Sequence, residues 1–442
     1  MSRRPLVLAL AVVIAATAAA TSSLHASNPT ESAASLSTGP VESTALYCAG
    51  LGASGSPAGH VVVLNTADHA RDVAVEVDTD TGARSMSHLR IAAHASASVA
   101  TPAAGHWFGV SLVVNGRGVV ADELNAAGTA QTPCLDAGTT NWFASGLDTK
   151  VGSKAYLVLY NPSSTAAVVN VTVETAAGFS APAPYQGVAI AAHRVVALDL
   201  GVRVVDQANV GVHVRVIRGG VVTTAVQQSG TFTSFNAGSA SLGRTWWFPR
   251  VTTVSGSFAQ LYLTNPSDAS ASVTATIGLA PFTVAPQQVT VAPFSTGSIL
   301  ITPNSAVPAH GYATVRLRSS VPIAASLATG TLSGVSLSVP ATPSNLYLVS
   351  DFSGHGFDAL SATNVGARPL VVTVTVLGTI ATSRVVTVAP GATVDLRGRD
   401  GLPTTLRGRS FLIAADRPDL IVATTLPTTP AGIVVVSALH GG

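Results

Sequence analysis

The chain has 442 residues, of which 47% are hydrophobic, 10% charged and 5% aromatic, and its formal net charge is +2. A near-neutral chain without a Lys/Arg cluster argues against an electrostatic nucleic-acid binder, which needs a basic stripe. Two cysteines with no CxxC neighbour give no support to zinc-finger or thioredoxin chemistry.

The N-terminus reads as an export signal. Arg3 and Arg4 precede an apolar stretch from Leu6 to Ala20, with small-x-small sites at Ala16-Thr17-Ala18, Ala18-Ala19-Ala20 and Leu24-His25-Ala26. This pattern marks the general secretory route, with segment 1–20 either cleaved as a signal peptide or kept as a membrane anchor. It falls short of the about 20 apolar residues that span a bilayer comfortably. Segment 21–44, rich in Ser, Thr and Ala, follows as a flexible stalk. An extracellular or cell-surface location follows, with the membrane reached only through the N-terminal segment.

Beyond the stalk the chain repeats itself. An Asn closes an apolar run at Leu64-Asn65-Thr66, Tyr160-Asn161-Pro162, Thr264-Asn265-Pro266 and Thr363-Asn364-Val365. Alternating strands follow, such as Val73-Ala74-Val75-Glu76-Val77 and Val169-Asn170-Val171-Thr172-Val173, with one dry face and one wet. A small-residue bend comes next: Ile91-Ala92-Ala93-His94, Ile190-Ala191-Ala192-His193, Val291-Ala292-Pro293-Phe294 and Val388-Ala389-Pro390-Gly391. A terminal hairpin is then expected, turning at Asn115-Gly116-Arg117-Gly118, Arg218-Gly219-Gly220, Ser319-Ser320-Val321-Pro322 and Asp416-Arg417-Pro418. A Gly opens a last short strand at Gly128, Gly230, Gly334 and Gly432.

A period near a hundred residues, about seven strands per unit and no helical stripe predict an all-β chain of four tandem immunoglobulin-like β-sandwiches. Their expected extents are 45–138, 139–240, 241–343 and 344–442. Cys48 and Cys134 fall on the first and last strands of the first unit. In an exported protein they are expected to pair as a disulfide, two buried free thiols being the alternative.

Candidate sites are few. His60, His69, His88, His94 and His106 crowd the first unit at irregular spacings, and His94 has an equivalent only in His193, so no metal ligand is assigned. Gly50-Leu51-Gly52-Ala53-Ser54-Gly55 matches GxGxxG but lacks the following helix of a dinucleotide site. Asp351, Ser353 and His355 share one short loop, which is not the ordered constellation of a triad. No catalytic or cofactor-binding residue is assigned. Trp142 and Trp246, with Tyr47 and Tyr347, open their units and are expected to pack. Trp107, Trp247 and Tyr185 are the aromatics that could stack on a sugar ring. The repeated Asn65, Asn161, Asn265 and Asn364 are expected to bond their own backbone two residues on, as a folding device.

At Leu159-Tyr160-Asn161-Pro162, Leu263-Thr264-Asn265-Pro266 and the Ile-Ala-Ala-His and Val-Ala-Pro bends the chain resembles an uncharacterised family of secreted actinobacterial proteins, of the domain-of-unknown-function 5719 type. The resemblance runs from about Tyr47 to the C-terminus. It implies an envelope location and no assigned activity, so no catalytic residue transfers. The expected function is a non-enzymatic, exported structural or interaction protein of the cell envelope, whose partner is an envelope protein or polysaccharide of unknown identity. A carbohydrate-binding role is the second reading, and an enzyme with a site at a junction between units is the third.

Overall fold

The computed structural model describes residues 43–425 and 433–435, apart from short segments at 53–58, 102–104, 126–129, 231, 280–281, 305, 332–333, 339, 351–358, 378–381, 400–401, 405 and 407–408. Segment 1–20, nearly all of segment 21–44, the Asp351/Ser353/His355 loop, Gly128 and Gly432 lie outside the described residues.

The chain is all-β. Strands account for nearly all its regular structure, with two single 3-10 turns at Ala183–Tyr185 and Leu200–Val202 and no α-helix among the described residues. The first strand set is β1 (Thr44–Leu51), β2 (His60–Asn65), β3 (Arg71–Thr79), β4 (Arg84–Ile91), β5 (Ser96–Ala100), β6 (Phe108–Val114), β7 (Val119–Leu124) and β8 (Gln131–Pro133). It forms two antiparallel sheets, ordered β1-β6-β3-β4 and β5-β2-β7-β8. The second set is β9 (Asn141–Leu147), β10 (Ser153–Asn161), β11 (Ala167–Thr175), β12 (Gly178–Ser180), β13 (Val188–Ile190), β14 (Arg194–Asp199), β15 (Val210–Arg218), β16 (Val222–Ser229) and β17 (Phe232–Asn236). Its sheets run β12-β11-β15-β9, with β13 also on β11, and β14-β10-β16-β17.

The third set, between Gly243 and Ser338, repeats the plan, but its 20-residue strand Tyr312–Thr331 runs through both layers. The fourth again has two four-stranded sheets. Buried Val, Leu and Ala between the layers form a core in each set, as the alternation requires.

The expected terminal hairpin is not one. The strands flanking each glycine-containing turn of the first two sets enter opposite sheets. The reason is that β6 already lies between β1 and β3, and β7 between β2 and β8, so neither has a free edge for the other. The hairpin lies one strand later, as β7–β8, β16–β17 and their counterparts.

The repeated Asn is wholly buried in all four places. The Asn161 side-chain amide donates to the carbonyls of Thr165 (2.8 Å), Ile190 (3.0 Å) and Ala191 (3.0 Å), and its Oδ1 accepts from Ser163 N–H (3.0 Å). Asn65 and Asn265 reach the same four groups, and Asn364 three of them. The expected bond two residues on is therefore present, and the same side chain also ties the turn to the Ile-Ala bend. In that bend the fourth residue takes positive φ: His94 57°, His193 51°, Phe294 49° and Gly391 68°.

Trp142 and Tyr347 are fully buried, and Trp246 packs on the third core. Tyr47 is out of step. The residue paired as Trp142 is paired in its own set is Leu46, so Tyr47 points to the opposite face and packs on the cluster described next.

Cys48 and Cys134 form the expected disulfide, closing a sequence separation of 86 residues.

Candidate functional site

A fifth apolar cluster belongs to no single strand set. Ala49, Trp107 and Ala130 of the first set meet Tyr156, Val158, Tyr160, Val195, Val222, Val226 and Phe235 of the second. The run Tyr156-Leu157-Val158-Leu159-Tyr160 is apolar at every position because β10 is covered on both faces. Its odd-numbered residues fill its own core and its even-numbered ones fill the junction.

The junction has a fixed geometry. Tyr160, the residue before the buried Asn161, lies over Gly109 of β6, where a Cβ would clash with the tyrosine ring. At the second junction Thr264, before Asn265, lies in the same way over Gly211. At the third, Thr363, before Asn364, and Thr314 both hydrogen-bond the Thr393 hydroxyl, at 2.8 and 2.9 Å. Gly109, Gly211 and Thr314 pair respectively with Asp78, Glu174 and Gly278.

Polar side chains concentrate at the first junction. The Tyr160 hydroxyl donates to Asp78 Oδ2 (2.7 Å) and lies 2.7 Å from the Ser111 hydroxyl, all three residues being buried. Glu76, two residues before Asp78 on the same face of β3, faces His193 at the second set's bend, with Nδ1 2.9 Å from Glu76 Oε1 and 3.6 Å from Asp78 Oδ2. Arg84 of β4 contacts Glu76 Oε1 through Nε, which is 3.8 Å from Asp78 Oδ1. Arg194 donates to the Asp80 carbonyl (2.7 Å). The side-chain carboxylate of Asp80 holds the backbone N–H of Trp107 and the His106 ring, each at 3.1 Å.

Burial pushes both carboxyls up. For Glu76 the Arg84 guanidinium and the His193 ring outweigh it, and the net shift is downward. For Asp78 burial prevails over the Tyr160 hydrogen bond, and the neighbouring Glu76 charge pushes the same way. Glu76, Asp78 and His193 present one ligand atom each, all within 4.8 Å of one another, which makes them the group that could hold a metal ion among the described residues.

Glu174 takes the place of Asp78 at the second junction. Burial raises its pKa to about 7, against an ordinary 4.5. A carboxyl whose folded pKa is raised costs nothing below its unfolded pKa and destabilises as pH climbs through the folded one. Stability is therefore expected to fall between about pH 4.5 and 7, by on the order of 3 kcal/mol. Glu174→Gln should flatten that slope in urea midpoints measured across pH; an unchanged slope would refute the assignment.

Trp107 is buried and packs its ring on Tyr156, with centroids 5.2 Å apart. Tyr185 is buried in the second core, where its hydroxyl donates to the Asp199 carbonyl (2.7 Å). Trp247 is half-buried, and its ring centroid lies 5.4 Å from the Arg316 guanidinium carbon. The three residues are not brought together. His94 and His106 make separate surface contacts with Asp68 and Asp80. The sequence did carry one sign of the junction cluster, the Glu76-Val77-Asp78 spacing that puts two acids on one face. Nothing in the sequence links them to His193, which lies in the next strand set.

No curated protein matches the chain. Among solved structures it is similar to one described as a tetra-tandem repeat in the extending region of a large adhesion protein, at 13% identity over 90% of this chain and 99% of that one, with a TM-score of 0.11. The model of a family of unknown function, DUF5719, matches residues 113–397, well over half of the sequence, and the chain belongs to that family.

Proposed function

We propose that the protein is an exported, non-enzymatic component of the cell envelope that works as a stiff spacer or interaction scaffold. The observation that carries this is the first junction, where an apolar core and a buried tyrosine seat replace a free linker. A jointed string of beads would leave those faces wet. The second and third junctions support the same reading. Ala328 and Leu337 of the third set enter the second core, and Ala423 of the fourth enters the third. Ser145 is tied to Thr264 and Ser326 by bonds of 2.8 and 2.7 Å. Export is supported by the disulfide, which persists in oxidising compartments. No helix among the described residues is long and apolar enough to cross a membrane.

Spin labels at exposed Met86 and Val202, one in each of the first two strand sets, test the stiffness. One narrow distance distribution is expected, broadening in Gly109→Ala, where the added methyl displaces Tyr160. A broad distribution in the unsubstituted protein would overturn the spacer reading.

A further inference from the structure

The three junctions supply an internal control. They share a geometry, so a residue that packing demands should recur at equivalent positions. The places held by Glu76, Asp78 and His193 at the first junction are held by Thr172, Glu174 and Phe294 at the second, and by Thr276, Gly278 and Gly391 at the third. Packing therefore requires neither two acids nor an imidazole there.

The cluster also has the marks of an assembled ligand set. Asp78 is wholly buried, yet its Oδ1 accepts no hydrogen bond. The Glu76 Oε1 and His193 Nδ1 atoms lie 2.9 Å apart without forming an aligned hydrogen bond. Donor atoms around a tetrahedral zinc, at about 2.0–2.1 Å from it, are about 3.3 Å from one another. The 2.9 and 3.6 Å separations from His193 Nδ1 bracket that figure. The Tyr160 hydroxyl donates to that same Asp78 Oδ2 and fixes the orientation of the carboxylate, whose other oxygen is left open, the service an outer partner gives a ligand.

We propose that Glu76, Asp78 and His193 bind a first-row divalent transition metal that bridges the first strand set to the second. One imidazole with two carboxylates suits a zinc-class ion; calcium takes six to eight oxygens and has no use for the ring. Arg84, whose side chain is 43% exposed, is the counter-charge that the metal displaces into solvent.

Equilibrium dialysis of the whole oxidised chain against zinc chloride tests this. One zinc more per chain is expected in the unsubstituted protein than in His193→Phe or Glu76→Thr. Both variants install a residue that the second junction already carries, His193→Phe at a matching positive φ. Arg84→Gln is expected to tighten binding several-fold, and His94→Ala to leave it unchanged. Calcium should not compete, whereas manganese should. Equal zinc uptake by the unsubstituted protein and the His193→Phe and Glu76→Thr variants would overturn the proposal. So would an Arg84→Gln protein that binds no more tightly than its parent.

Discussion

Reducing the Cys48–Cys134 disulfide is expected to cost the first strand set about 4–5 kcal/mol. The expectation rests on loop length. The bridge closes 86 residues, nearly the whole set, and the entropy removed from the unfolded chain grows with the logarithm of that number. Cys48 lies on β1, and Cys134 follows directly on β8 of the opposite sheet. The bond therefore staples the two layers, and the Tyr47–Leu135 backbone pair beside it closes the same edge. The loss should reach further than the set itself, because Tyr47 and Leu135 pack on the first junction's apolar cluster. Urea unfolding followed by tryptophan fluorescence, to which Trp107 of the first set contributes, with and without reductant, measures it. An unchanged midpoint would refute the stapling role.

Asn161→Ala is expected to cost about 4 kcal/mol, near the top of the range for single substitutions. Three carbonyls, one N–H and the Ser163 hydroxyl would lose a partner at once around a side chain with no exposure, the Ile190 bond being wholly buried and the others partly so. A buried group left unpaired costs about 1–3 kcal/mol. Asn161→Asp should do as badly, since a carboxylate cannot donate to those carbonyls. Asn364, with one fewer acceptor, should be the mildest of the four. Chemical denaturation of the four alanine variants gives the ranking; a cost below about 1 kcal/mol at Asn161 would show the clamp to be dispensable.

These two devices mark what was legible in the sequence. The Asn turns, the bends and the alternating strands were each visible locally, because each obeys a short-range rule, and the cysteine pair was visible because an exported chain with two cysteines has one pairing open to it. The bond from Asn161 to Ile190 and Ala191 was not, since nothing in the chain shows which turn meets which bend. The terminal hairpin misled because a Gly-Gly turn fits a hairpin and a crossing between layers equally well; the choice is made by which edges are already occupied. Tyr47 misled because an aromatic near a unit's start looks equivalent to Trp142, yet a slip of one residue reverses its face. The junction left a trace in Tyr156–Tyr160, an apolar run too continuous for a strand with one wet side. His193 left none, since its acidic neighbours come from another strand set.

The tyrosine seat has a consequence for ancestry. If such a chain grew by duplicating one module, the copies have since lost the freedom to be shuffled. Only a glycine floor admits Tyr160, and the third module offers Thr314 at the matching place. A transplanted second module would collide there, so steric memory alone records which neighbour each module evolved beside.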